Sequence, residues 1–219
     1  MPISHVLYLH GFASSPGSTK ANFFCERFTR EGMTCHIPDL NVPSFETLTL
    51  TAMIGAVAAA IRNLPAAGDV GLIGSSMGGL TALHFMNRYR ESEAKRVKQV
   101  VLMAPALEFM ANRNTQMGED GLAAWQSAGH IDFFHYAHNK AFPVHYGLVE
   151  DVQGYDSYAV TLDAPITIFH GKQDASVDYG QSVRYADAND NVTLHLLDSD
   201  HQLLDQTEFM WTEMLRIFK

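Results

Sequence analysis

The sequence predicts an α/β fold built on a doubly wound, mostly parallel six-stranded sheet, and three observations lead there. Apolar runs of strand length recur at residues 5–9, 34–37, 70–73, 99–103, 165–170 and 192–197. They are apolar throughout rather than alternating, as strands covered on both faces are. Helix-like segments separate most of them, which is the rhythm of parallel strands joined by crossovers. With 219 residues and 47% hydrophobic content, the chain can bury a sizeable core. No internal repeat, low-complexity stretch or linker divides it, so one domain over 1–219 is expected.

The elements follow in order. The first strand, VLYL with its flanks, runs into His10-Gly11-Phe12 and the loop Ala13-Ser14-Ser15-Pro16-Gly17-Ser18. A helix over 19–31 places Phe23, Phe24 and Phe28 on one face. After strand 34–37 and Pro38, Ser44 is taken as the N-cap of a long helix that stops before Pro65. Strand 70–73 leads through a tight turn into a helix reaching residue 90. Asp178 caps a helix to 188, and an amphipathic helix over 204–218 closes the chain.

Residues 106–164 interrupt this rhythm. A structureless loop of that length is improbable inside a compact domain, so the segment must carry structure of its own. It is rich in aromatic residues, looks helical over 120–127, and allows a hairpin of 131–138 with 141–146 around His138-Asn139-Lys140. It reads as a small cap over the carboxyl edge of the sheet.

Charge and composition narrow the partners. A formal charge of −9 argues against nucleic acid or an anionic membrane surface. The apolar stretch 52–61 is too short to span a bilayer. The start of the chain lacks the basic and apolar regions of a signal peptide, so a cytoplasmic location is expected. Cys25 and Cys35 show neither disulfide-scaffold density nor metal spacing and read as small buried hydrophobes in a reducing compartment.

The chemistry concentrates at VGLIGSSMGGL, where Gly74-Ser75-Ser76-Met77-Gly78 spells G-x-S-x-G between a strand and a helix. That is the setting of a nucleophile elbow. The turn strains its central residue, and glycine on either side removes colliding side chains. Ser76 is therefore the candidate nucleophile; Ser75 has no glycine two positions before it. A serine hydroxyl needs a base, and the base an orienting group. In doubly wound sheets the working residues lie beyond the carboxyl ends of strands. Asp174 in GKQD and His201 in DSDH occupy such loops, and the order Ser76, Asp174, His201 suits a triad. The amides of Phe12 and Met77 are the expected oxyanion donors. His10 is expected to brace the oxyanion loop. Glu108, Asp198 and Asp200 are rival acids, with Asp200 adjacent to His201 and poorly placed to reach its ring.

Two other sites find less support. His130, His135, His138 and His145 could suggest a metal site, but on a strand His135 and His138 would face opposite ways. They read as cap surface residues. Neither G-K-[ST] nor G-x-G-x-x-G occurs, which removes the usual nucleotide cradles.

The stretches YLHGF, GSSMGG, HGKQD and SDHQ, spread over nearly the whole chain, resemble the α/β-hydrolase superfamily. The pairing of LYLHGFASSP with IGSSMGG looks like the small single-domain bacterial serine esterases long catalogued as an uncharacterised family. The resemblance implies hydrolysis of small to medium carboxylic esters or thioesters through an acyl-enzyme, with no metal or organic cofactor. It also implies a sheet that lacks the superfamily's first two strands, and Glu108 lies where some hydrolases keep their acid. Acyl transfer, carbon–carbon bond hydrolysis on the same triad, and non-catalytic ligand binding remain open. The oligomeric state has no signature in the sequence.

Overall fold

The computed structural model describes residues 3–219. Its centre is a 6-stranded sheet in the order β2-β1-β3-β4-β7-β8, with every pairing parallel. The strands are β1 (Ile3–Leu9), β2 (Thr34–His36), β3 (Asp69–Ser75), β4 (Val97–Met103), β7 (Ile166–Gly171) and β8 (Val192–Leu197). A separate antiparallel hairpin is formed by β5 (His130–His135) and β6 (Lys140–His145).

Side chains alternate across a strand, so each central strand feeds two cores. Leu7, Leu9, Leu72, Val100, Leu102, Ile166 and Ile168 join one core with α2 (Leu50–Asn63), α3 (Met77–Arg88) and α6 (Gly180–Asp187). Val6, Tyr8, Ile73, Val101, Met103 and Phe169 join the other with α1 (Thr19–Arg30) and α7 (Thr207–Phe218). Phe24 and Phe28 of α1 are fully buried there, as the helical face predicts. The order of strands reverses at β1, which has β2 on one side and β3 on the other. The crevice outside such a switch point is where open α/β sheets place their ligands.

Helix α1 is capped by Ser18, whose Oγ accepts the Ala21 N–H at 3.3 Å. The start of α2 is different. Its cap is Thr49, whose Oγ1 accepts the Ala52 N–H at 3.1 Å, and not Ser44. Ser44 opens a turn instead, with Thr47 N–H donating to Ser44 O at 3.2 Å. That turn buries Phe45 against His135, with ring centroids 4.7 Å apart, and Glu46 O accepts the His145 N–H at 2.8 Å. Docking of the hairpin therefore consumes the first turn that Ser44 would have begun.

Residues 106–164 are structured, as expected, and more helical than expected. Helix α4 spans Phe109–Ala128 with a break at Gly118 (φ 71°, ψ 171°), and Gly129 ends it in a left-handed conformation. The hairpin and α5 (Gly147–Val152) follow. Trp125 is fully buried and its Nε1–H donates to Val144 O at 2.8 Å, which ties α4 to β6. Tyr136 N–H donates to Ala13 O at 3.2 Å, which ties the hairpin to the loop after β1.

Two expectations are corrected. Cys25 and Cys35 are not separate thiols but a disulfide joining α1 to β2. His135 is not a surface residue: it is fully buried, and its ring lies 4.6 Å from that of His138 rather than across a strand from it. His138 escapes the strand because β5 ends at His135 and residues 136–139 form the turn. Among the described residues no cluster of His, Cys, Asp and Glu could hold a metal ion. No described helix is long and apolar enough to cross a membrane.

Candidate active site

Strand β3 ends at Ser75 and α3 begins at Met77, which leaves Ser76 alone in the turn. Ser76 has φ 53° and ψ −117°, a conformation that a residue with a Cβ rarely adopts. Such strain costs about 1–3 kcal/mol and persists only when the surroundings over-determine it. Here Ser76 N–H donates to Met103 O at 2.9 Å, while Ser76 O accepts the Gly79 and Ala106 N–H groups at 2.9 and 3.2 Å. Glycine is obligatory on both sides. A Cβ on Gly74 would stand 2.4 Å from Gly78 O, and one on Gly78 would stand 2.2 Å from Leu9 O. Positive φ at non-glycine residues also occurs at Ala13, Ala104 and Leu203, each in a loop leaving the same edge of the sheet or next to His201.

Two loops bring the partners. Gly171 ends β7, and a Cβ there would lie 2.3 Å from Ser199 O, so the loops after β7 and β8 press together. His201 Nε2 lies 3.2 Å from Ser76 Oγ, and His201 Nδ1 lies 2.7 Å from Asp174 Oδ2. Asp174 Oδ1 accepts the N–H groups of Ser176 and Val177, both at 2.8 Å. The Asp174 side chain is fully buried and that of His201 is 20% exposed. Burial alone would raise the Asp174 carboxyl. Hydrogen bonds from His170 and His201, the His201 charge and the Val177 amide outweigh it and hold the group well below the usual carboxylate range.

The rival acids are engaged elsewhere. Glu108 accepts from Tyr158 Oη at 3.2 Å and lies 3.5 Å from Arg184. Asp198 accepts from Gln173 Nε2. Asp200 Oδ1 accepts the Gln202 and Leu203 amides at 2.8 and 3.3 Å, shaping the histidine loop without touching the ring. Ser75 is buried inside β3.

Phe12 and Met77 both line a cavity of about 820 Å³ that also contains Ser76 and His201. Among the described residues, neither backbone N–H has a hydrogen-bond partner. Gly11 sits close enough that a Cβ there would be 3.3 Å from Ser76 Cβ. His10 braces this loop as expected: Nδ1–H donates to Gly11 O at 2.9 Å and Nε2 accepts the Leu40 N–H at 3.0 Å. Burial lowers its pKa, with the Gly11 carbonyl and Asp39 opposing, and the network fixes a neutral ring.

Sequence reasoning passed over His170, Lys20 and Arg113. His170 Nε2 lies 3.2 Å from Asp174 Oδ2, and its Nδ1 accepts from Ser182 Oγ at 2.7 Å. Its place four residues before Asp174, at the end of β7, was the available signal. Lys20 Nζ donates to Gln202 O at 2.8 Å, tying α1 to the histidine loop. Burial pushes its pKa down to about 8, with Asp200 and Asp174 opposing. Arg113 lines the same cavity from α4 and has no sequence signal.

Residues 5–217 match the family model described as "Uncharacterised protein family (UPF0227)". No curated protein sequence matches the chain. Solved structures similar to it include a protein from Agrobacterium vitis S4, 20% identical, covering 100% of this chain and 91% of its own, with a TM-score of 0.83. Alpha/beta hydrolase domain-containing protein 10 from mouse is 18% identical over 97% of this chain and 88% of its own, with a TM-score of 0.78. Est1E from Butyrivibrio proteoclasticus with ferulic acid bound is 19% identical over 98% and 89%, also at 0.78. These likenesses show that the chain has the α/β-hydrolase fold.

Proposed function

The chain belongs to the Uncharacterised protein family (UPF0227), and from that premise and its fold we propose that it is a serine hydrolase of carboxylic esters or thioesters. The observation that carries the reading is the hydrogen-bonded series Ser76 Oγ, His201 Nε2, His201 Nδ1 and Asp174 Oδ2, at 3.2 and 2.7 Å.

In this reading Ser76 Oγ attacks the substrate carbonyl carbon as His201 Nε2 takes its proton. Asp174 keeps the remaining proton on Nδ1 and stabilises the imidazolium that forms. The carbonyl oxygen becomes an oxyanion held by the Phe12 and Met77 N–H groups, each worth about 3 kcal/mol in the transition state. Collapse breaks the bond to the leaving alcohol or thiol, which receives the His201 proton and departs. Water, deprotonated by His201, then cleaves the acyl-enzyme and restores Ser76. His170 acts as a positioning residue for the Asp174 carboxylate. Phe109, Phe133 and Phe134 supply an apolar wall, so the acyl or leaving group is small to medium and partly apolar.

The proposed location is the cytoplasm. The Cys25–Cys35 disulfide bears on that location, and alkylation in fresh lysate followed by mass analysis tests it: a bond present in most of the protein in the cell overturns it. The catalytic reading is tested with p-nitrophenyl acetate and butyrate: the wild type turns both over with a burst of nitrophenol, and Ser76→Ala does not. Undiminished turnover by Ser76→Ala overturns it.

A further inference from the structure

The cavity around Ser76 holds a cation with no counterion. Arg113 belongs to α4, and among the described residues it forms no hydrogen bond and no ion pair. Its Nε is buried without a partner. Asn112 beside it is 5% exposed, and while its Oδ1 accepts from Gln181 Nε2 at 2.5 Å, its Nδ2 is also buried and unpartnered. Both residues line the cavity. The guanidinium carbon lies 5.2, 5.5 and 5.9 Å from the ring centroids of Phe109, Phe12 and Phe133. Burial pushes the Arg113 pKa down to about 10, so the group stays charged at neutral pH.

Other arginines of this acidic chain behave differently. Arg27, Arg62, Arg184 and Arg216 each pair with a glutamate. With carboxylates in excess, leaving a half-buried guanidinium unpaired costs desolvation that no protein group offsets. Aromatic faces can hold a guanidinium by its flat surface, but they accept no hydrogen bonds in its plane. What remains around Arg113 Nε and Asn112 Nδ2 is a set of donors without an acceptor. Lys20, a second cation on the cavity wall, adds to the same sign of charge.

We propose that Arg113 and Asn112 form an anion subsite, and that the natural substrate is an ester or thioester carrying a carboxylate or similar oxyanion near its reacting carbonyl. The proposal rests on the serine-hydrolase reading of the site and names its substrate class. Phe12 sets the proximity, since its ring lies against the guanidinium and its amide is a proposed oxyanion donor. The Arg113 fork gives two parallel N–H groups to the carboxylate, and Asn112 Nδ2 a further one. The anion replaces water around Arg113 and restores the buried charge balance that the protein omits.

The test compares p-nitrophenyl hemiglutarate with p-nitrophenyl butyrate, reading the ratio of kcat/KM within each protein. The wild type favours the anionic ester, and Arg113→Gln lowers the ratio by roughly ten- to a hundredfold. Arg113→Lys, which keeps the charge but loses the fork, falls between them. A ratio equal within about twofold in the wild type and Arg113→Gln overturns the proposal. A separate arm does not depend on turnover: calorimetric titration of Ser76→Ala and Ser76→Ala/Arg113→Gln with 4-phenylbutyrate and its amide. The carboxylate should bind Ser76→Ala about tenfold more tightly than the amide, and the double variant should lose that preference. Equal affinities in Ser76→Ala, or no binding of either ligand, overturn the subsite. Loss of the Ser76 mechanism alone leaves this titration unchanged.

Discussion

The loops at the carboxyl edge of the sheet and the segment from 106 to 164 wall the same cavity, yet they are held by different means. Around Ser76 the backbone does the holding. Ser76 O accepts three N–H groups, Asp174 Oδ1 accepts two more, and Gly74 and Gly78 leave no room for a methyl group. Across the cavity, ring contacts dominate: Trp125 on Phe133 at 5.1 Å, Phe133 on Phe12 at 5.0 Å, Phe45 on His135 at 4.7 Å. The first region satisfies the side chains it must aim and leaves the Phe12 and Met77 amides open. The second leaves buried polar atoms of Asn112, Arg113 and His135 unpartnered. The contrast teaches a division of labour within the proposed reaction: the side chains proposed to move protons are over-determined, while those proposed to choose a substrate keep donors in reserve.

Substitutions should reproduce that contrast. Ser76→Ala has the largest expected effect, a loss of about 10⁴- to 10⁶-fold in kcat against p-nitrophenyl butyrate with the fold intact by circular dichroism. Asp174→Asn should cost about 10⁴-fold in kcat by freeing the wrong His201 tautomer, whereas Glu108→Gln should stay within about twofold. A large loss in Glu108→Gln with a small one in Asp174→Asn would reassign the acid. Gly78→Ala forces a methyl group against Leu9 O and should lower unfolding stability by more than about 4 kcal/mol in denaturant titration. Trp125→Ala should cost about 3–5 kcal/mol and raise KM more than it lowers kcat, since its ring supports the hairpin and not the triad. Gly147→Ala meets nothing within 4 Å at the start of α5 and should be neutral or stabilising by up to about 1 kcal/mol. If Gly147→Ala were as damaging as Gly78→Ala, the looser character assigned to residues 106–164 would be wrong.

The same division governs what the amino-acid sequence reveals. Ser76, Asp174 and His201 are legible because each follows an apolar strand and because strained turns demand glycines at fixed offsets. The parallel sheet is legible because β1, β3, β4 and β7 are apolar on both faces. The start of α2 is not, since Ser44 and Thr49 are both cap-forming residues and the docked hairpin takes up the turn at Ser44. Helix α4 begins before residue 120 because Phe109 joins the core, a tertiary contact with no local mark. The Cys25–Cys35 bond depends on α1 turning back beside β2, a proximity that the nine intervening positions do not encode. Arg113 looks like any solvated helix residue until Phe12, Phe109 and Phe133 close around it. His170 supports Asp174 from within a strand whose apolar reading hid it.

The central claim is that Ser76 is a nucleophile activated by His201. The most direct measurement is labelling of the native protein with a fluorophosphonate, followed by peptide mapping. The account predicts stoichiometric phosphonylation on Ser76, lost in Ser76→Ala and strongly slowed in His201→Ala. Absence of labelling in the native protein, or a label on any other residue, would contradict it.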